Sequence, residues 1–271
     1  MKTFDFSVLM SVYKRELPTN LKQSLDSLLE NQSLLPSQVV LVADGDLTEE
    51  LDKVIAEFVY RYSDLIYVHR LSENLGLASA LNEGLKYCRY EYVARMDSDD
   101  ISLPNRFVEQ MSYLQAHGEI DVLGAFIEEF DDADPDFSKV REVPVDQQSI
   151  QRFSVKRNPM SHPVVIFKKS AVLSVDGYPI LYPEDHMLWL RMLDAGYIFH
   201  NLPQVLLKMR TGQSFQKRRG LKFLKGELAV IWYLVRSGRL FWVYAIYLSI
   251  VRILLRLSPG FLKVMLYKYC R

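Results

Sequence analysis

Cysteine is almost absent: the 271 residues contain only Cys88 and Cys270. So far apart in sequence, they offer no disulfide framework and point to a reducing compartment. Met1–Glu16 carries no secretory signal, because Asp5 precedes a short apolar run and no small-residue cleavage site follows. The uncharged stretch Leu240–Val251 has twelve residues, too few for the ~20 that span a bilayer. Asn74–Gly84 lacks a Gly-rich phosphate fingerprint and a P-loop Lys-Ser/Thr. Internal repeats and Gly/Ser linkers are missing as well. What is there suits one large domain, or a domain with an appendage: 49% hydrophobic and 24% charged residues, with 11 Pro and 12 Gly.

The net charge is zero, yet it is unevenly spread. Residues 217–271 hold twelve Lys and Arg against one acid, Glu227, a net of +11; residues 1–216 hold 21 bases against 32 acids, a net of −11. An acidic body with a basic, aromatic tail attracts anionic surfaces at one end only.

The first half alternates strand-length apolar runs with helix-period segments. Phe4–Met10, Gln38–Ala43, Leu65–Arg70 and Glu91–Met96 read as strands. Between them Leu21, Leu25, Leu28 and Leu29 share a helix face, as do Leu51, Val54, Ile55, Phe58 and Val59, and Leu77, Leu81 and Leu85. The pattern predicts an α/β fold with a mainly parallel sheet flanked by helices. Pro104 then suits the first turn of a helix that buries Phe107, Met111 and Leu114. Asp121–Phe130 and Pro163–Lys168 read as further strands, Asp131–Asp136 as a solvated acidic loop, and Cys88 as a buried small hydrophobe.

In such sheets ligands sit beyond the carboxyl ends of the strands, which singles out Tyr13, Asp44, Glu73–Gly76 and Asp97–Asp100. Asp97, Asp99 and Asp100 crowd three carboxylates into four residues. Their repulsion calls for a cation, and oxygen-only ligands point to Mg²⁺ or Mn²⁺ completed by substrate phosphate. The plainer alternative is a helix N-cap, though one Asp suffices for that. Glu184-Asp185 opens a helix carrying Met187, Leu188, Leu190, Met192 and Leu193. Acids in a first turn are ordinary. Paired with a metal-bound diphosphate, however, one of them supplies the base that the reaction then needs.

Taken in order, V-L-M-S-V-Y, V-A-D-G, N-L-G-L-A-S-A-L-N-E-G, R-M-D-S-D-D and P-E-D-H-M-L-W-L-R resemble a family 2 glycosyltransferase with the GT-A fold. The resemblance covers about residues 4–215. Asn158–Pro163 and Gly177-Tyr178 are similar to the bacterial branch that builds O-antigen, capsule and exopolysaccharide units. It implies that Tyr13 lines a uracil pocket, Asp44 accepts a hydrogen bond from the base, and Asp97 faces the ribose or sugar. It further implies that Asp99 holds the metal, Asp100 orients its neighbours, Asp185 is the catalytic base and Glu184 supports it. Arg191 is a candidate to steady a carboxylate or phosphate, and His162 to line the site or touch the metal; His186 reads as exposed. The implied reaction is an inverting, metal-dependent transfer of one hexose from UDP-Glc or UDP-Gal to a lipid-diphosphate-linked saccharide.

The chain departs from the family in places. Ala43-Asp44 replaces a pair of acids, and Ser11-Val12-Tyr13-Lys14 replaces Pro-x-Tyr-Asn. Gly220 stands where processive synthases have Trp after Gln216-Lys217-Arg218-Arg219, so single-sugar addition is expected. A sugar-nucleotide pyrophosphorylase is one alternative, but Ser11–Glu16 lacks the Gly-rich basic loop of that class. A non-catalytic, membrane-associated scaffold is another.

The division expected is a catalytic domain over 1–215 and a basic amphipathic tail over 216–271. In the tail Arg252 and Arg256 share a face with Ser249 and Ala245, while Trp242, Tyr244, Ile246, Leu248, Ile250, Ile253, Leu254 and Leu257 cover the rest. Pro259-Gly260 ends that helix, and Phe261–Arg271 reads as a further amphipathic piece. Such a tail suits an anionic membrane surface, here the cytoplasmic face of a bacterial inner membrane, rather than nucleic acid. Packing on the catalytic body, or a dimer contact, is the other reading of the tail.

Overall fold

Strand Phe6–Val12 (β1) is buried on both faces, with Val8, Met10 and Val12 turned to one side and Leu9 to the other. A run hidden on both sides is mostly apolar, and the buried Ser7 on it is satisfied by donating its hydroxyl to Gln38 Oε1 at 2.7 Å. The computed structural model describes residues 5–181, 183–211 and 221–257. After β1 come α1 (Pro18–Leu29), β2 (Gln38–Ala43), α2 (Glu49–Arg61), β3 (Ile66–Arg70), α3 (Leu77–Tyr87) and β4 (Tyr92–Asp97). These four strands pair in parallel in the order β3-β2-β1-β4, as short strands alternating with helices should. Thr48 caps α2 by accepting from the Leu51 amide at 3.3 Å, with Glu49, Glu50 and Asp52 in its first turn.

The second half contains β5 (Ile101–Ser102), α4 (Arg106–Ala116), β6 (Val122–Asp131), β7 (Asp134–Arg141), α5 (Gln147–Ser154), a 3₁₀ turn (His162–Val164), β8 (Ile166–Lys168), α6 (Lys169–Leu173), α7 (Glu184–Asp194) and β9 (Phe199–Arg210). The sheet runs β3-β2-β1-β4-β8-β6-β9-β5, with β7 on β6. Beyond β4 it is mixed: β6 and β9 are parallel, whereas β8 is antiparallel to β4 and β6, β7 to β6, and β5 to β9. The expected α/β fold is present, with a sheet wholly parallel through its first four strands and mixed beyond them.

Two expectations are corrected. The acidic run 131–136 is exposed, but it turns into β7 from Asp134 onward. An edge strand wet on both faces has no apolar period to betray it. Of Pro163–Lys168 only the last three residues extend, because His162–Val164 form the 3₁₀ turn. β9 escapes the apolar count because Pro203 interrupts it. The pairing with β6 jumps from Leu202 to Val205, as a residue without N–H demands.

Helices α1, α2 and α4 cover one face through Leu21, Leu25, Phe58, Phe107 and Met111, while α3 and α7 cover the other through Leu81, Leu85, Leu188 and Trp189. Gly84 lets α3 lie close to the sheet: a Cβ there would collide with Leu9 and stand 2.7 Å from Val42. A further pair, α8 (Leu221–Arg236) and α9 (Trp242–Leu257), packs on α7. Met187 and Leu190 meet Val230, Ile231, Leu234, Leu240 and Ala245 there, so the packing expected as the alternative for the tail is present. Among the described residues no helix is long and apolar enough to cross a membrane. Gln216–Gly220, Pro259-Gly260, Phe261–Arg271 and Cys270, named above, lie outside the described residues. Cys88 is buried as expected, and burial pushes its thiol up to about 12.

Gly84→Ala should cost about 1–3 kcal/mol by overpacking α3 against β1 and β2, read as a lower urea midpoint with an unchanged slope.

Candidate active site

The parallel register sets three strand ends side by side. Ser11 is level with Asp97 and Val12 with Ala43, so Tyr13, Asp44 and Asp97 emerge along one edge of the sheet. Tyr13 is half-buried there. Asp44 is buried, and its carboxylate accepts the backbone amides of Leu75 at 2.7 Å and Gly76 at 3.0 Å. Gly45 makes that junction possible. Its φ is +80°, and a Cβ would stand 2.7 Å from the Asn74 nitrogen.

Asp97, Asp99 and Asp100 each bring a carboxylate oxygen into a group spanning no more than 4.8 Å. They do not cap a helix, since the N-cap of α4 is Asn105. The loop that holds them is fastened from several sides. Ser24 Oγ donates to the Asp97 carbonyl at 3.0 Å and Ser98 Oγ to Glu16 Oε2 at 3.0 Å. Arg210, at the end of β9, donates its backbone N–H to Asp100 Oδ1 and its Nε–H to the Asp99 carbonyl, both at 2.9 Å. The rest of that guanidinium bonds Asp132 and Gln23 and lies 4.8 Å over the Phe130 ring. Asp100 Oδ2 is buried without a hydrogen-bond partner among the described residues. Burial, with Asp99 and Asp97 beside it, holds the Asp100 carboxyl well above the usual range.

Three carboxylates in close range, one with an orphaned buried oxygen, fit a hard divalent cation.

Two wholly buried guanidinium groups lie beneath this acidic loop. Arg95 donates to the Met96 carbonyl and to Asp97 Oδ1. Arg106 donates to the Arg95 carbonyl at 2.7 Å and to Gln110 Oε1 at 3.1 Å. Gln110 in turn reaches the Val164 carbonyl at 2.8 Å. Burial brings Arg106 down to about 9, with Asp100 opposing the shift. Arg95 also senses Tyr178 and Glu184, so one buried cation serves both acidic groups of the site.

The second group opens α7. Asp185 is half-buried and oriented: Oδ2 accepts from Asn158 Nδ2 at 2.5 Å and Oδ1 from the His186 amide at 2.8 Å. The Asn158 side-chain oxygen accepts from the Met160 amide at 3.1 Å, which turns its NH₂ toward Asp185. Glu184 is only 4% exposed. Burial first and Asp185 second raise it to about 8, against the pull of Arg95. Glu184 is thus held toward its protonated form, and Asp185 is the better placed acceptor. A solvent-facing helix start, the plain alternative for this pair, does not describe Glu184.

Other candidates have different roles. His162 is buried, its Nε2 shares a 3.0 Å hydrogen bond with the Tyr178 hydroxyl, and its ring meets Trp189 edge-on. Burial and Arg95 lower it to about 4, so it is a neutral wall of the site. Asn82 secures that wall by bonding both the N–H and the C=O of Tyr178 at 2.8 Å. His186 is not an exposed side chain. It donates Nε2–H to the Ser154 carbonyl at 2.8 Å, and burial lowers it to about 4. Arg191 lies six residues beyond Asp185, about 9 Å along α7, and its charge is felt by Tyr233 near Asp194; it does not steady the site. Arg95 and Arg210 were missed. Arg95 stands inside R-M-D-S-D-D and was available as a signal, whereas nothing in the sequence marks Arg210.

A parallel half-sheet with an acidic loop at its carboxyl edge, met by a carboxylate from a later helix, is the arrangement of a GT-A glycosyltransferase fold. The comparisons with known proteins agree. The model of glycosyl transferase family 2 matches residues 7–172, and the chain belongs to that family. It is 38% identical over 268 residues to the amylovoran biosynthesis glycosyltransferase AmsE of Erwinia amylovora, covering 97% of each chain. It is 36% identical over 266 residues to the UDP-Gal:alpha-D-GlcNAc-diphosphoundecaprenol beta-1,3-galactosyltransferase of Escherichia coli, covering 97% of this chain and 95% of that one. In fold it resembles S. aureus TarS 1–349 in complex with UDP-GlcNAc, at TM-score 0.67, 18% identity and coverage of 89% and 69% of the two chains. It also resembles the mannosyltransferase PcManGT from Pyrobaculum calidifontis in complex with GDP-Man and Mn²⁺, at TM-score 0.66, 13% identity and coverage of 99% and 80%. Family membership removes the pyrophosphorylase alternative and makes the chain an enzyme rather than a scaffold.

Arg95→Met should lose about 2 kcal/mol in urea unfolding, less than a fully buried pair costs because Asp97 is one-third exposed. Glu184 supplies a pH signature. Its carboxyl is raised in the folded state, so its contribution is intact below about 4.5 and is lost as pH rises to about 8. The Tm of Glu184→Gln should therefore gain on wild type across that window.

Proposed function

We propose that the chain transfers one hexose from a UDP-sugar to a saccharide carried on a lipid diphosphate, during assembly of a bacterial surface polysaccharide. The observation that carries this reading is the meeting of the Asp97–Asp100 loop and the Glu184-Asp185 pair around Arg95. One relative is named as a galactosyltransferase acting from UDP-Gal on a GlcNAc-diphospholipid, which favours galactose over glucose as the sugar moved.

Tyr13 presents an aromatic face to the uracil. Asp44 shapes the floor of the base pocket through the Leu75 and Gly76 amides and offers its remaining acceptor positions to the base. Asp97 faces the ribose or the sugar. Asp99 would hold Mn²⁺ or Mg²⁺, with Asp100 orienting the loop. The chemistry supplied by a bound divalent cation is neutralisation of the diphosphate as it departs.

Asp185 takes the proton from the acceptor hydroxyl while Asn158 keeps its carboxylate aimed. The acceptor oxygen then bonds to the anomeric carbon as the bond to the diphosphate breaks on the opposite face, so configuration inverts. An α-linked UDP-hexose gives a β-glycoside, in keeping with the β-linkage in the relative's name. Glu184, buried and held toward its protonated form, keeps the α7 start against Arg95. A lipid-borne acceptor puts the working enzyme at the cytoplasmic face of the inner membrane.

The test is incubation of purified protein with UDP-sugars, Mn²⁺ and a GlcNAc-diphospho-lipid analogue, with product followed by mass. A single added hexose is expected, abolished by EDTA. Asp99→Ala and Asp185→Asn should each lower turnover at least about a hundredfold. Donor binding should survive in Asp185→Asn and weaken in Asp99→Ala. Transfer that persists in EDTA or in Asp185→Asn would overturn the assigned roles.

A further inference from the structure

Helix α9 is turned inside out for a helix at a water surface. Its more polar stripe, Ala245, Ser249 and Arg252, faces the body. Ala245 is buried, Ser249 Oγ bonds back to the Ala245 carbonyl at 2.7 Å, and Arg252 pairs with Glu227 of α8 at 3.1 Å. The opposite stripe is exposed and apolar. Trp242 is 61% exposed, Tyr247 58%, Ile250 51% and Leu254 61%, with Val243 and Ile246 beside them. Trp232 of α8 is 67% exposed as well. A solvated helix buries its apolar stripe and shows its polar one. From Trp242 to Leu254, about 20 Å of helix, the outer side does the reverse and presents an exposed aromatic and aliphatic face.

We propose that this outward face of α9, together with Trp232, is a docking surface for an anionic lipid bilayer. Charge selects the occupant. Residues 217–271 carry a net of +11, so two copies meeting through this region would bring like charges together, whereas an anionic leaflet attracts them. Lys225 and Arg236 are exposed, and residues 258–271 add Lys263, Lys268 and Arg271 among apolar neighbours. Trp and Tyr suit the boundary between headgroups and acyl chains, where an apolar body and a polar tip are both accommodated.

Docking bears directly on α7. Tyr233 donates to Asp194 at 2.7 Å, Arg239 pairs with Asp194 at 2.5 Å, and Met187 and Leu190 pack into the α8–α9 cluster. The helix that begins with Glu184-Asp185 is thus held at its far end by the pair that meets the lipid. The surface faces outward from the mount of the proposed base. A lipid-borne acceptor, as proposed above, gives the docking its use, but the docking itself is tested without it.

The experiment is co-sedimentation of the full chain with phosphatidylcholine vesicles, with and without phosphatidylglycerol, alongside tryptophan emission. Binding to the anionic vesicles is expected, with a blue shift and roughly tenfold weakening at high salt. The combined variant Tyr247→Gln, Ile250→Gln, Leu254→Gln should bind at least about tenfold more weakly while melting like wild type, since all three side chains are exposed. Tyr60→Gln, at a 90% exposed position on α2, should bind normally. Equal binding by the triple variant, or equal binding to neutral vesicles, overturns the proposal. So does an absence of binding together with a concentration-dependent dimer that the triple variant loses, which would assign the face to a second copy. Vesicle binding without any sugar transfer would remove the lipid-linked acceptor reading and leave the docking surface standing.

Discussion

Negative charge concentrated at the end of β4 is the constraint on which the rest of the site depends. Three carboxylates within 4.8 Å repel one another strongly in a partly buried setting, and the fold answers with cations placed where water cannot reach them. Arg95 and Arg106 are wholly buried beneath the loop, and Arg210 closes it from the side. The residual imbalance is visible in Asp100, whose carboxyl stays well above its usual range. Such a loop is held ready for additional positive charge.

Sheet topology decides what can reach this loop. The parallel strands align Tyr13, Asp44 and Asp97 on one edge, and the mixed half brings in everything else. The 3₁₀ turn with His162 leads into β8, which runs antiparallel to β4, and the segment after it leads to α7. The two halves divide the site: one carries Tyr13, Asp44 and the Asp97–Asp100 loop, and the other brings Glu184 and Asp185.

Legibility in the sequence followed the same division. Short apolar runs betray strands, so β2 is legible to the residue, β3 and β4 to within one, and β1 to within two at each end. Carboxylates cluster visibly, so both acidic groups were named in advance. Arg95 was overlooked because it interrupts an apolar run without altering its period, and its value depends on Asp97 and Glu184 being close in space. Arg210 and Asn158 act only through residues distant in the chain. β7 is wet on both faces and β9 is broken by Pro203, so neither has a local signal. For α9 the amphipathic pattern was evident, yet which stripe turns inward is decided by Glu227 and the packing of α7, and periodicity cannot express that.

Arg210 has a consequence for biosynthesis. Its amide bonds Asp100 across 110 positions of chain, and β9 also pairs with β5, far upstream. The parallel β1–β4 unit is complete by Asp97, and its pairings, from Val39 with Ile66 to Phe6 with Tyr92, all lie upstream of β9. On a ribosome that unit can assemble while the later strands are still in the exit tunnel, leaving its acidic loop open on one side. Only when β9 emerges does the loop receive its last backbone partner, so the nascent chain is a folded half-sheet well before it is an enzyme.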